Sequence, residues 1–165
     1  MKYLICGMGS IGLRHLKNLK KLGEHDIIIY SSGKSVMPGV QDEISDFKVY
    51  QSLEKALLEK PDICMITNPT SMHIDVALKV AQAGCHLYIE KPLSHTLENL
   101  KELQEIVDLK KLITFITYQF RFHPHIKLLK SIFENDKYGK PLYVTAEWSE
   151  YLPSWHPWED YKEGY

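Results

Sequence analysis

What this sequence has little of narrows its class before any motif is read. Of 165 residues only three are cysteines: Cys6, Cys64 and Cys85. They are far apart and odd in number. That excludes a disulfide framework and a Cys-x-x-Cys redox or metal pair, and it is the usage expected of a reducing cytoplasm. An excess of one charge sign is missing too, with 20 Lys and Arg against 21 Asp and Glu and a formal net charge of −1. No basic surplus draws the chain to nucleic acid or an anionic membrane, and Lys17, Lys20 and Lys21 read as a solvated helix face. No apolar run approaches the roughly 20 residues that span a bilayer. The apolar stretch at the N-terminus is broken by Gly7, Gly9 and Gly12, unlike a secretory leader. Disorder is excluded by what remains, 44% hydrophobic and 25% charged residues.

Apolar segments alternate between two periods. Short β-branched or apolar runs occur at Tyr3–Cys6, Ile27–Tyr30, 47–50, 63–67, 87–89 and 112–117. Between them helical spacing appears at Leu13, Leu16, Leu19; at Leu53, Ala56, Leu57; at Ile74, Ala77, Leu78, Ala81; and at Leu100, Leu103, Val107. Gly23, Pro61 and Gly84 are the expected stops. Strands with few polar residues, each followed by a helix, predict an α/β fold, a Rossmann-type doubly wound parallel sheet covered on both faces. Such sheets bind ligands beyond the C-terminal ends of their strands. The expected boundary lies near residue 120. Residues 121–165 then form a linker helix (Ile126, Leu129, Phe133), a lone edge strand over 142–147 and the incomplete start of an α+β second domain. The closing segment carries all three tryptophans and Glu147, Glu150, Glu159, Asp160 and Glu163 against Lys162 alone.

The residues just after the strands carry the chemistry. Gly7-Met8-Gly9-Ser10-Ile11-Gly12 matches G-x-G-x-x-G between a strand and a helix, the cradle for a dinucleotide pyrophosphate. Ser10 and Ile11 would donate their N–H groups from the helix start. After the second strand the sequence reads Ser31-Ser32-Gly33-Lys34, without the carboxylate that accepts ribose hydroxyls in NAD-preferring sites. Ser31, Ser32 and Lys34 suit a 2′-phosphate, so NADP is expected over NAD. Asn68, Pro69, Thr70 and His73 follow the fourth strand as further cofactor contacts. Glu90-Lys91-Pro92 follows the fifth: Lys91 would reach the crevice as a proton carrier, with Glu90 orienting it. His123-Pro124-His125 lacks a carboxylate or Cys partner and reads as a helix start, so no metal is expected.

In this order, Gly7–His15, Asn68-Pro69-Thr70-x-x-His73 and Glu90-Lys91-Pro92 resemble the Gfo/Idh/MocA oxidoreductases. The resemblance continues through Tyr118–Pro124 and Gly139–Leu142, and Pro153–Pro157 is similar to a stretch of sugar-acting members. It implies hydride transfer between NAD(P) and a carbinol or keto carbon of a sugar, inositol or sugar derivative. It makes Lys91 the catalytic lysine, supported by Glu90 and Pro92. Arg121, Trp155 and His156 fall on the substrate side. Family members run to roughly twice this length. Their second domain commonly forms a homo-oligomer interface and supplies an Asp and a His to the proton relay. This chain is accordingly expected to bind cofactor with little activity of its own. The alternative is a non-catalytic dinucleotide-binding or regulatory module.

Overall fold

The computed structural model describes residues 1–33, 37–135, 138–154, 157, 160 and 162. The chain divides into two compact units, Met1–Thr117 and Tyr118–Tyr165.

The first unit alternates as the periodicity predicts: β1 (Tyr3–Cys6), α1 (Ser10–Lys21), β2 (Ile27–Tyr30), α2 (Val40–Ile44), β3 (Lys48–Tyr50), α3 (Leu53–Leu57), β4 (Ile63–Ile66), α4 (His73–Gln82), β5 (His86–Glu90), α5 (Leu100–Lys110) and β6 (Thr114–Thr117). The strands form one six-stranded sheet in the order β3-β2-β1-β4-β5-β6. Every pairing is parallel, with Tyr3 opposite Ile27 and Ile63, and Ile63 in turn opposite His86. The chain leaves the β3 edge and restarts beside β1, so the order reverses between β1 and β4. In sheets of this order the ligand crevice lies at that reversal, at the C-terminal ends of the strands.

Alternate residues of each strand serve opposite faces. Leu4, Cys6, Ile28, Cys64, Ile66, Leu87 and Ile89 pack with Ala56, Ala77, Val80 and Leu103 under α3, α4 and α5. Tyr3, Ile5, Ile27, Ile29 and Met65 pack with Leu13, Leu16 and Leu19 of α1 and Val40 and Ile44 of α2. The cysteines are small core residues, as their apolar setting suggests. Cys6 Sγ lies 3.3 Å from Cys64 Sγ, and Cys85 donates to Pro61 O at 3.0 Å. Burial pushes the Cys85 thiol up to about 11.

The expected stops hold. Gly23 and Gly84 take φ of +81° and +87°, past the ends of α1 and α4, where a left-handed residue closes a helix. Helix α2 is unpredicted; its sequence offers only two apolar residues, Val40 and Ile44, around three polar ones.

In the second unit, α6 (Pro124–Glu134) carries the expected Ile126, Leu129, Phe133 stripe. Pro124 opens the helix, and His123 Nδ1 accepts the His125 N–H at 3.3 Å. That is the helix start read from the sequence. The strand expected over 142–147 does not form: these residues lie in neither helix nor strand. A strand without a partner leaves its backbone groups unpaired and has no reason to persist. None of the described residues 118–154 is buried.

Candidate functional site: a glycine cradle and a lysine past the fifth strand

Where β1 ends, the chain must turn sharply into α1. Gly7 has φ +99°, and an added Cβ would meet Asn68 N at 2.7 Å. At Gly12 a Cβ would meet Gly7 O at 2.1 Å and Thr67 Oγ1 at 2.9 Å. The Thr67 hydroxyl closes this contact, lying 3.0 Å from Cys6 O and 2.8 Å from Gly7 O. These two glycines let the loop and helix press on the sheet. Gly9 differs, because a Cβ there would meet nothing within 4 Å. It is the N-cap of α1, with no side-chain cap and no acidic residue in the first turn. The first N–H groups of α1, at Ser10, Ile11 and Gly12, lack intrahelical acceptors, and the space beside Gly9 is open. That is the geometry of an anion cradle.

Asn68, whose backbone N is the nearest atom to the place a Gly7 Cβ would take, carries an unpaired carboxamide. Both Nδ2 and Oδ1 are buried, and neither has a hydrogen-bond partner. A buried amide left unpaired is costly unless a ligand completes it. The orphaned amide and the open space above Gly9 together fit a polar, phosphate-bearing ligand.

Since all strands are parallel, Lys91 leaves β5 on the same edge of the sheet as the cradle. It stands two strands from β1, about 10 Å at ordinary strand spacing. Lys91 is exposed and follows the last ladder pair, Glu90 opposite Thr117. The Lys91–Pro92 bond is cis. Glu90 acts on Lys91 through the backbone: its Oε2 accepts the Lys91 N–H at 3.3 Å. Its Oε1 lies 2.8 Å from His15 Nε2, with side-chain exposures of 15% and 12%. Burial pushes the Glu90 carboxyl up, but hydrogen bonds from His15 and from the Lys91 N–H outweigh it. Thr117 adds to the lowering, although its buried hydroxyl falls short of a full hydrogen bond. The net result is a carboxylate held below its ordinary range. His15 also stacks edge-on against Tyr88, centroids 5.2 Å apart. One side chain of α1 thus ties the cradle helix to the end of β5. The sequence places His15 at the end of the resembling motif but assigns it no role. The available signal was a histidine one turn after Gly12, on a face otherwise built of leucine and glycine.

Asn68–His73 also ends at the crevice, but His73 behaves differently from its expected role. Its ring is 1% exposed. Nδ1 lies 2.9 Å from Pro92 O, and Nε2 lies 2.9 Å from Asn68 O. Both nitrogens are occupied by main-chain carbonyls, so in this arrangement the ring has none to offer a cofactor.

Residues 1–118 match the model of the oxidoreductase family with an NAD-binding Rossmann fold named Gfo/Idh/MocA. The chain belongs to the Gfo/Idh/MocA oxidoreductase family. A myo-inositol 2-dehydrogenase of Thermotoga maritima is 30% identical over 156 residues, covering 88% of this chain and 45% of that protein. A UDP-N-acetylglucosamine 3-dehydrogenase of Acidithiobacillus ferrooxidans is 36% identical over 157 residues, covering 89% and 45%. Among solved structures, a probable dehydrogenase of Thermotoga maritima superposes with a TM-score of 0.74 at 25% identity, over 86% of this chain and 43% of that one. The chain therefore spans less than half the length of the relatives it matches.

Within this Gfo/Idh/MocA domain the remaining expected residues fall as follows. Ser31 is nearly buried, and its Oγ accepts the Gly33 N–H at 3.3 Å. Ser32 is exposed at the β2 end, and Lys34 lies outside the described residues. Pro69 is exposed and Thr70 half-buried. Arg121 is exposed on the turn Gln119–Phe122 of the second unit. Trp155 and His156 lie outside the described residues. No helix among the described residues is long and apolar enough to cross a membrane.

Proposed function

We propose that the protein to which this chain corresponds oxidises or reduces a carbinol or keto carbon of a sugar, inositol or sugar derivative, with Lys91 as the proton carrier. The observation that carries this reading is Lys91 itself. It is an exposed amine past β5, on the sheet edge that bears an open phosphate cradle, and its neighbour Glu90 is tied to the cradle helix. Gly7, Gly9, Ser10, Ile11 and Gly12 would hold the pyrophosphate. Asn68, Pro69 and Thr70 would line the nicotinamide side, and Asn68 would complete its unpaired amide there. When bound, the nicotinamide ring supplies the hydride acceptor or donor. Lys91 takes the proton from the substrate hydroxyl as the carbon is oxidised, or returns it in the reverse direction. The cleft walls orient the reacting groups and exclude water.

NADP is the preferred cofactor on this reading. In the sequence no carboxylate directly follows β2, and Ser31, Ser32 and Lys34 are the donors and cation that a 2′-phosphate would take. The 165-residue chain is expected to bind cofactor and to turn over little, while a longer form would act as a homo-oligomer.

Replacing Lys91 by Ala in a form as long as the relatives should lower kcat by about 10²–10⁴-fold while leaving dinucleotide affinity within a few-fold. Turnover near the wild-type rate in that variant contradicts the reading.

A further inference from the structure

The sheet stops supporting the chain just before Lys91. The β5–β6 ladder ends at Glu90 opposite Thr117, and Pro92 has no N–H with which to continue it. The first main-chain acceptor past the catalytic position is Pro92 O. It meets His73 Nδ1 at 2.9 Å, while Nε2 of the same ring meets Asn68 O at 2.9 Å. Asn68 and Pro92 follow adjacent, paired strands, with Ile66 opposite Ile89. The ring is buried at the first position of α4, next to Ile74 and Ala77 of the core. An apolar side chain would fill that place without the cost of burying a polar ring. The imidazole instead spans two carbonyls that no strand partner reaches. A neutral ring donates to one of them and a protonated ring to both.

We propose that His73 is a positioning residue, a staple between the loops after β4 and β5 that sets where Lys91 stands relative to the Asn68 carboxamide. This rests on the reading of Lys91 as the proton carrier. The ring touches neither substrate nor cofactor. It holds together the loops after β4 and β5, on one side of the crevice, so the unpaired amide of Asn68 and the amine of Lys91 keep one spacing. His15 secures the other flank of Lys91 through Glu90. The lysine is thereby bracketed by histidines from α1 and α4, and each ring acts on a residue next to the lysine.

The test uses the 165-residue chain labelled with 15N, comparing wild type with His73→Ala and His73→Gln. In wild type the Lys91 backbone N–H is expected to be as rigid as the sheet, with an order parameter of about 0.85. In His73→Ala it should fall to about 0.6 or below, while Leu87 and Ile89 in β5 keep wild-type values. His73→Gln retains one donor and should recover part of the loss. It serves as the informative variant should His73→Ala not fold. Lys91 rigidity that is unchanged in the folded variants, or that falls only together with Leu87 and Ile89, overturns the proposal. Adding NADPH to the wild type separates the two ideas. Absence of any cofactor-induced shift at Asn68 and Lys91 defeats the functional reading but leaves the staple to stand or fall on the order parameters.

Discussion

The motif's glycines share a residue type but not a physical task. At Gly12 the missing Cβ prevents a collision with Gly7 O at 2.1 Å, so Gly12→Ala must push the loop off the helix. The expected cost is about 1–3 kcal/mol, the scale of an overpacked contact, visible as a lower urea midpoint. At Gly9 no protein atom stands in the way. Gly9→Ala should therefore leave the urea midpoint nearly unchanged yet weaken dinucleotide binding at least tenfold. Equal effects on folding and binding at both positions would contradict the cradle. Glu90 offers a second check. Burial alone raises its carboxyl and the His15 hydrogen bond is the largest opposing influence, so His15→Ala should move the Glu90 carboxyl upward in a 13C titration. A Glu90 value that stays low without His15 would remove the tie between α1 and β5. The motif positions themselves were readable because spacing alone identifies them. The partners were not: His15 meets Glu90 across 75 positions of sequence, and His73 meets Pro92 across 19. The same residue types at those spacings serve equally well as solvated groups.

Among elements, strands and long helices were legible because their apolar residues are continuous or strongly periodic. Leu13, Leu16 and Leu19 of α1 and Ile27–Ile29 of β2 are all buried. Legibility failed where an element depends on its neighbours. Helix α2 is a single short turn-like segment after Gly39 at φ +75°, and the alternation over 142–147 lacks a partner strand. A polar clamp joins the β3 edge to the end of α3. Glu59 accepts hydrogen bonds from the Tyr50 hydroxyl, from Lys48 and from Lys2. Its carboxyl is held at about 2, with the Tyr50 bond the largest cause. Glu54, bonded first of all to Lys79 on α4, is also held at about 2. Because both values lie below those of the unfolded chain, the stability they contribute is fully present above about pH 4.5. It is lost as pH falls towards 2. Tyr50→Phe should raise the Glu59 value towards that of the unfolded chain, so the variant loses less stability than wild type as pH falls from about 4.5 towards 2. An acid unfolding curve superimposable on wild type would show that the clamp contributes nothing.

At the scale of the whole molecule, the hydrophobic core is confined to one part of the chain. Every residue of both hydrophobic clusters lies within Met1–Thr117, whereas Phe120, Phe122, Ile126, Leu129, Phe133 and Trp148 of the second unit are exposed. A chain ending at Thr117 should consequently fold cooperatively and bind dinucleotide within about threefold of the 165-residue chain. Failure to fold would place part of the core beyond residue 117. In the intact chain, NADPH should bind more tightly than NADH, since no carboxylate follows β2; tighter NADH binding contradicts the preference. Proton transfer by Lys91 during hydride transfer requires the nicotinamide ring to lie beside its amine. The most direct measurement is a nuclear Overhauser effect between the nicotinamide C4 proton and the Lys91 side chain in the cofactor-saturated protein. The account predicts that contact, lost in Lys91→Ala without loss of binding. A nicotinamide ring whose contacts lie only with Ser31 and Ser32 at the β2 end would contradict it.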